Sequence, residues 1–171
     1  MSQSLLTLLL LFWSLLASAQ EASAEIHRID AQGVGARLGT VTISETAAGL
    51  AFQPDLAGLP PGPHGFHLHE GSGCAPGEKD GKAQAGLAAG GHYDPDKTGQ
   101  HKGPEGAGHK GDLPMLSVAA DGTAREAIVS KRLRLDEVRG RALIIHAEAD
   151  NYADQPGGAR MACGVIQTVS R

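Results

Sequence analysis

The sequence predicts an all-β domain, a β-sandwich or flattened barrel whose strands are joined by Greek-key connections. Glycine is abundant, at 24 of 171 residues, and only 4% of the residues are aromatic. Abundant glycine between short apolar runs is typical of loop-rich β structure rather than of helices. Seven or eight such runs are separated by long connections. That is the pattern of a sandwich or barrel, and the absence of an internal linker favours one domain.

The first 19 residues are predicted to be a signal peptide outside this domain. Residues 5–16, LLTLLLLFWSLL, are almost entirely apolar. Such a run is too short to span a membrane but matches the apolar region of a signal peptide. An ASA motif at 17–19 offers a cleavage site, and a second ASA would allow cleavage as late as residue 24. The domain is therefore expected to cover residues 20–171 of a periplasmic or secreted protein. An uncleaved anchor is the alternative.

Alternating runs predict the strands of the first half of the domain. Residues 40–44 (TVTIS) and 50–53 (LAFQ) alternate, and Pro54 suits the end or the edge of a strand. After a turn cluster, residues 66–70 (FHLHE) alternate again. Alternation places side chains 67 and 69 on one face and 66, 68 and 70 on the other, so two imidazoles share a face.

The second half of the domain begins with a long irregular segment, residues 71–115, which is rich in glycine and proline. A compact domain contains such a segment when the segment is functional or tied down. Two β-like runs then flank Asp121-Gly122, a hairpin signal. Residues 132–140 are expected to form a loop. Residues 142–150 and 161–169 are predicted to be the last strands, the former buried.

Charge and cysteine content narrow the possible partners. The net charge is −4, and no basic run or basic amphipathic helix is present. These features argue against a nucleic-acid partner and, after signal cleavage, against a membrane partner. Cys74 and Cys163 can pair in an exported protein. A bridge between them would close most of the mature chain and contribute about 4–5 kcal/mol to stability.

Six of the eight histidines form a candidate metal-binding set together with Asp112. The six are His67, His69, His92, His101, His109 and His146. Neutral imidazole is the commonest protein metal ligand. A bound metal would also order a polar loop that has no hydrophobic core of its own. Two four-coordinate metals need eight ligand bonds, whereas this set offers seven side chains. One side chain must then bind twice, which imidazole can do with its two ring nitrogens.

Six specific motifs carry a family resemblance: HGFHLHE (64–70), GSGCAPGEKDGK around Cys74, GGHYDP (90–95), GQHKGPEGAGHKGDLP (99–114), IIHAEADN (144–151) and GGARMACGVI (157–166). With these motifs the chain resembles the copper–zinc superoxide dismutases of the exported bacterial type, from about residue 24 to the C-terminus. The resemblance implies an eight-stranded Greek-key β-barrel or sandwich with long metal-binding and disulfide-pinned loops. It also implies disproportionation of superoxide to O2 and H2O2 by a copper that is alternately reduced and oxidised.

The resemblance also assigns roles to individual residues. It implies copper bound by His67, His69, His92 and His146. It implies zinc bound by His92, His101, His109 and Asp112. His92 would bridge the metals and move a proton, and Arg160 would hold the anionic substrate beside copper. Asp150 would link a copper histidine to a zinc histidine, and Cys74 and Cys163 would form the disulfide of the family.

Several features remain outside this assignment. His64 is expected to make structural hydrogen bonds and His27 to lie on the surface. The loop 153–160 is shorter than expected before the arginine. Lys79 and Lys82 are candidates for steering the substrate, with Lys102 and Lys110 as weaker candidates. A non-catalytic exported copper or zinc binder is the alternative function, and a homodimer and a monomer are both open.

Overall fold

The computed structural model describes residues 21–153 and 157–169, and in these residues the regular secondary structure is almost entirely β. The predicted signal peptide, residues 1–19, lies outside the described residues. The strands are β1 (Glu21–Asp30), β2 (Gly33–Thr46), β3 (Gly49–Leu56), β4 (Gly62–His64), β5 (Phe66–Leu68), β6 (Gly77–Lys79), β7 (Lys82–Gln84), β8 (Leu116–Val118), β9 (Ile128–Ser130), β10 (Ala142–His146), β11 (Arg160–Val165) and β12 (Gln167–Thr168). A 3-10 helix spans Leu87–Ala89, and a single α-helix, α1, spans Leu135–Val138.

One antiparallel sheet contains most of these strands, in the order β5-β10-β11-β1-β2-β3-β9, with β12 paired to β1. Two smaller pairs, β4 with β8 and β6 with β7, complete the sheet structure. Neighbours that are distant in sequence, such as β11 and β1, require the crossing connections of a Greek key. The predicted all-β Greek-key class is therefore confirmed.

The alternation predicted for the early strands is observed, in strands longer than expected. Val41 and Ile43 of β2 are fully buried, as are Leu50 and Phe52 of β3. β3 continues through Pro54, which is paired with Val41, so Pro54 does not end the strand. On its other side β3 pairs with β9 only at residues 50–52. A residue without an N–H group therefore removes no ladder bond on that side.

The hairpin predicted at Asp121-Gly122 is only half correct. The turn exists, since Gly122 has φ 80° and the Asp121 carboxylate accepts the Thr123 N–H at 3.0 Å. However, β8 pairs with β4 and β9 pairs with β3, so the two runs do not pair with each other. The reason is long-range: beyond the turn, Ala124 forms a bridge with Leu56, and both side chains are buried in the core.

The stretch expected to be a loop, residues 132–140, contains α1. Glu137 accepts the Arg134 N–H at 3.0 Å, and Glu45 of β2 accepts the Leu135 N–H at 2.8 Å. Both bonds satisfy N–H groups at the start of the helix, which have no partner within it. Leu135 and Val138 are buried, so this short helix is held against the barrel by its apolar side.

The long segment 71–115 is largely irregular, as predicted, and is tied down at several points. Cys74 is bonded to Cys163 of β11, with a Cα–Cα distance of 5.7 Å and a sequence separation of 89, which confirms the predicted pairing. The segment also contains the β6–β7 hairpin and the 3-10 helix. Within residues 21–153 and 157–169, no helix has the length and apolar character needed to cross a membrane.

Candidate metal centre

Strand β5 and the residue that follows it place two imidazoles close to each other, next to the core. Phe66 and Leu68 are fully buried in the main core, so the alternation of the strand turns His67 to the opposite face. His69 follows immediately and forms a bridge with His92, while His67 forms one with Asp112. His67 is also opposite Ile144 of β10, the strand that ends at His146.

The first candidate group consists of His67, His69, His92 and His146. One ligand atom from each lies within 4.8 Å of the ligand atoms of the others. Three of these rings each have a buried nitrogen without a hydrogen-bond partner: Nδ1 of His67, Nε2 of His69 and Nε2 of His146. Buried polar atoms are normally satisfied, so three orphaned nitrogens that converge on one place fit a shared electrophile such as a metal ion.

The partners of the other ring nitrogens determine which nitrogen carries the proton. His69 Nδ1 lies 3.0 Å from the Gly90 carbonyl, and His146 Nδ1 lies 2.9 Å from the Gly158 carbonyl. A carbonyl only accepts, so each Nδ1 carries the hydrogen and each Nε2 keeps a lone pair. His67 is reversed, because its Nε2 lies 2.8 Å from Asp150 and its Nδ1 is left free. All three lone pairs are thereby presented as metal ligands.

Burial keeps these imidazoles uncharged. Desolvation lowers the pKa of His67 and of His69 well below the usual value, and neighbouring imidazoles lower it further. Desolvation also lowers the pKa of His146, to about 4. The neutral form is the one that binds a metal, so His67, His69 and His146 are in their ligating state at neutral pH.

The second candidate group lies on the other side of His92 and is built around Asp112. Asp112 Oδ1 accepts from His92 Nδ1 at 2.8 Å. Asp112 Oδ2 lies 2.9 Å from His101 Nδ1, without the alignment of a hydrogen bond, and both atoms lack partners. Desolvation acts to raise the pKa of Asp112, but the hydrogen bond from His92 and the nearby His101 lower this pKa below its usual value. An ionised carboxylate is therefore present among orphaned imidazole nitrogens.

The geometry of this group differs in one member from the sequence assignment. The residues whose ligand atoms lie within 4.8 Å are His67, His92, His101 and Asp112, without His109. His109 Nδ1 lies 3.5 Å from Asp112 Oδ1 and is also buried without a hydrogen-bond partner. His67 has a single lone pair, since its Nε2 is engaged by Asp150. That lone pair lies within reach of both groups, and His109 is the candidate that the sequence assigns to the fourth position here.

His92 belongs to both groups. Its ring centroid lies 4.9 Å from that of His69 and 5.2 Å from that of His109. Because Nδ1 faces Asp112, a member of the second group, it could bind a metal there after giving up its proton. Nε2 on the opposite edge of the ring is the atom left for the first group. The structure thus brings the predicted bridging residue between the two sets.

Asp150 lies close to one histidine of each group, His67 and His101. Its side chain is fully buried. One carboxylate oxygen accepts from His67 Nε2 at 2.8 Å, and the other lies 3.6 Å from His101 Nε2. Desolvation raises the pKa of Asp150. Gly65 must be glycine here, because a Cβ at that position would lie 2.8 Å from an Asp150 carboxylate oxygen.

Arg160 lies at the start of β11 and lines a cavity of about 480 Å³ together with Lys79, Gln84, Leu87 and Gly158. Its guanidinium donates to the Gly86 carbonyl at 2.5 Å and to the Gly90 carbonyl at 2.6 Å. Burial lowers the pKa of this guanidinium, and an arginine still remains charged at any working pH. A fixed cation at the wall of a cavity is suited to binding a small anion.

The backbone carbonyls that orient this site were not foreseen from the sequence. Gly90 accepts both from His69 and from Arg160, and Gly158 accepts from His146. A carbonyl has no residue-type signal, so a side-chain pattern cannot reveal it. The only available sign is the glycine itself: Gly90 has φ 71°, in the region that favours glycine.

The remaining two histidines behave as expected. His64 is 3% exposed, and its ring nitrogens lie 2.8 Å from the carbonyls of His146 and Pro60. His27 lies on β1, partly exposed, with Nδ1 3.2 Å from the Gly35 carbonyl. Neither residue contributes an orphaned nitrogen to the cluster.

The donor atoms of both groups fit the two predicted metals. Four imidazole nitrogens suit copper(II), and three imidazoles with one carboxylate suit tetrahedral zinc. The orphaned, buried atoms are the observation that supports this fit, because leaving each of them unsatisfied costs about 1–3 kcal/mol. A metal ion at each place would satisfy several of these atoms at once.

Comparisons with known proteins agree with the site. Residues 37–166 match the family model described as copper/zinc superoxide dismutase. The superoxide dismutase [Cu-Zn] of Escherichia coli K12 is 53% identical over 157 residues, covering 88% of this chain and 91% of the relative. Among solved structures, the Cu/Zn superoxide dismutase from Brucella abortus superposes with a TM-score of 0.84 at 50% identity, covering 86% of this chain and 99% of that one.

A second solved structure bears on assembly. The monomeric copper, zinc superoxide dismutase from Salmonella enterica matches with a TM-score of 0.77 at 53% identity. The match covers 86% of this chain and 99% of that chain.

Proposed function

The chain belongs to the copper/zinc superoxide dismutase family, and from this premise we propose that it disproportionates superoxide: two superoxide anions and two protons become O2 and H2O2. The observation that supports this function best is the pair of adjoining groups of candidate ligands. These groups share His67 and His92, and they contain buried ring nitrogens and a carboxylate oxygen that lack hydrogen-bond partners. Arg160 beside them adds a site for the anion.

The first cluster would hold copper through His67, His69, His92 and His146. The second would hold zinc through His92, His101, His109 and Asp112. When bound, copper supplies reversible one-electron redox chemistry, which zinc lacks. Zinc would organise the loop that carries its ligands.

The residues of the chain supply positioning and proton transfer. Arg160 binds the anion at the cavity wall, and its two bonds to the Gly86 and Gly90 carbonyls orient the guanidinium. Gly90 also fixes the ring of His69, so the anion site and a copper ligand share one anchor. With Nδ1 of His92 facing Asp112, Nε2 is the atom at which this ring holds and donates a proton.

The alternative, a non-catalytic exported metal binder, is not favoured. Metal storage requires neither a cation on the wall of a cavity nor a ring shared between two clusters. Every copper ligand of the assignment is present, and the first group comes together within 4.8 Å.

We further infer that the mature protein is periplasmic, with residues 1–19 as its signal peptide. The start of β1 at Glu21 supports the earlier of the two cleavage sites. Cleavage after residue 24 would remove Ala22 and Ala24, which are fully buried in the core. Mass spectrometry of the protein from a periplasmic extract would identify the first residue directly.

We propose a monomer as the functional unit, since one chain supplies both metal groups and Arg160. Sedimentation analysis across protein concentrations tests this assembly, and a homodimer that persists on dilution would overturn it.

The decisive experiment for function is metal analysis combined with a superoxide assay on the mature protein. We expect copper and zinc in equal amounts and an activity that cyanide abolishes. Full copper and zinc content without activity would instead support the storage alternative.

A further inference from the structure

We propose that Arg132 is a positioning residue for zinc: its guanidinium holds the backbone on both sides of His109 and thereby sets how firmly the site retains the metal. This inference rests on the proposed function, because it takes His109 as a zinc ligand.

Two hydrogen bonds define the contact. Arg132 Nη1 donates to the His109 carbonyl at 3.0 Å, and Nη2 donates to the Gly108 carbonyl at 2.7 Å. These carbonyls belong to the peptide groups on either side of the His109 Cα. A planar guanidinium that bonds both carbonyls constrains the position and the orientation of His109, which a single point donor cannot do.

Arg132 projects from a part of the chain that is fixed in the core. It follows β9, which is paired with β3, and its neighbours Ser130 and Leu133 are 4% and 3% exposed. A second attachment comes from Lys110, the residue after His109, because Lys110 is ion-paired with Glu137 of α1. The backbone around His109 is thus fastened to the barrel from outside the metal loop.

His109 needs such an external anchor more than the other proposed zinc ligands do. Its side chain is 19% exposed, against 3% for His101. It lies 3.5 Å from Asp112, whereas His92 lies 2.8 Å from the same carboxylate oxygen. Like the other proposed zinc ligands, His109 belongs to no named strand or helix. Ordering a backbone residue costs conformational entropy, and a prior clamp removes that cost from metal binding.

The test compares Arg132→Met and Arg132→Lys with the parent protein loaded with copper and zinc. Methionine keeps an apolar stem and removes both donors, and lysine keeps the charge but cannot make the paired contact. We expect Arg132→Met to release zinc to a chromogenic chelator about 10- to 100-fold faster, the usual effect of removing a group that orients a metal ligand. Arg132→Lys should fall between the two proteins.

A second readout separates positioning from general stability. With Co2+ in the zinc site, the ligand-field absorption of Arg132→Met should shift, because the ligand geometry has changed. Copper release should stay at the parent rate. Arg125→Met is the matched control, since Arg125 pairs with Asp55 on the exposed surface, and it should leave both zinc release and the Co2+ spectrum unchanged.

The outcomes distinguish this proposal from the zinc assignment on which it depends. His109→Ala should lose zinc, and retention of zinc there would overturn both. Loss of zinc in His109→Ala together with parent-like zinc release in Arg132→Met would overturn the clamp alone. Equal acceleration of zinc and copper release would also overturn it, because that result indicates loosening of the whole fold.

Discussion

His92 and Gly90 show how single residues link the two candidate metal groups to the proposed substrate site. His92 presents one ring nitrogen to Asp112 and the other to the first group, so its ring separates two clusters of ligands. The Gly90 carbonyl accepts from His69 and from Arg160. A disturbance of Arg160 is therefore expected to act on substrate binding first and on the copper ligand second.

Replacement of Arg160 tests the role of the anion site. Arg160→Ala should keep both metals, because Arg160 is not a proposed ligand, yet lower kcat/KM by about 10- to 100-fold. That range corresponds to losing a hydrogen bond to a charged group. The measurement is kcat/KM at constant ionic strength with metal content determined in the same sample.

Arg160→Lys is the matched control, since it keeps the charge and loses the fork of donors. It should retain more activity than Arg160→Ala. Full metal content with unchanged kcat/KM in Arg160→Ala would remove the arginine from the mechanism.

Strands and loops have different tasks in this protein. Strands β5 and β10 carry His67 and His146 on a rigid ladder, whereas the remaining proposed ligands come from irregular chain. The disulfide joins that irregular chain to β11, the strand that begins with Arg160. Cys163 lies in a small core cluster with Ile29, Ala142 and Ile144, so the anchor point itself is buried.

Removal of the disulfide should loosen the arginine as well as destabilise the fold. Cys74→Ala with Cys163→Ala should lower the free energy of unfolding by up to about 4–5 kcal/mol, because a long loop is no longer closed in the unfolded chain. Arg160 should lose part of its effect, since Gly86 and Gly90 lie in the released segment.

Denaturant unfolding and kcat/KM of the double variant measure the two effects. The parent protein should contain no free thiol by titration under native conditions. Two titratable thiols, or a double variant as stable as the parent, would contradict the pairing as a structural element.

At the scale of the whole molecule, the net charge of −4 repels an anionic substrate that must reach the site. Local positive potential can overcome the average repulsion. Lys79 lines the cavity with Arg160 and is paired with Lys82 across the β6–β7 hairpin. Asp80 and Gly81 adopt positive φ at the tip, which is the geometry of a tight hairpin turn. The hairpin therefore presents two cations beside the cavity.

Charge reversal on this hairpin tests steering. Lys79→Glu with Lys82→Glu should lower kcat/KM by roughly 10-fold at low ionic strength, and the deficit should shrink as salt screens the charges. Stopped-flow assays across ionic strength measure both quantities.

Arg37→Glu with Arg125→Glu is the control, because it changes the net charge equally at exposed sites that do not line the cavity. An equal loss in both double variants would show an effect of net charge alone. A parent-like rate and salt dependence in the lysine variant would locate steering elsewhere.

Much of the site could be predicted before any coordinates, because its chemistry resides in side chains at recognisable spacings. Two imidazoles two positions apart must share a face of a strand, as His67 and His69 do. The pairing of Cys74 with Cys163 was likewise implied by the family motifs around each cysteine. The first feature depends on local periodicity and the second on the resemblance to a family, and both can be read from the sequence.

The remaining features of the site and the fold were decided only by the tertiary structure, because they depend on contacts between residues that are far apart in the chain. The free nitrogen of each histidine is set by what the other nitrogen meets, Asp150 for His67 and backbone carbonyls for His69 and His146. The turn at Asp121-Gly122 forms, but the strands on its two sides pair with β4 and β3 rather than with each other. Ala124 beyond the turn forms a bridge with Leu56 instead, and both side chains are buried in the core. Arg132 reached His109 across a gap of 23 residues. A sequence pattern contains the ligands, but their tautomers, orientation and anchoring arise only when distant backbone groups meet.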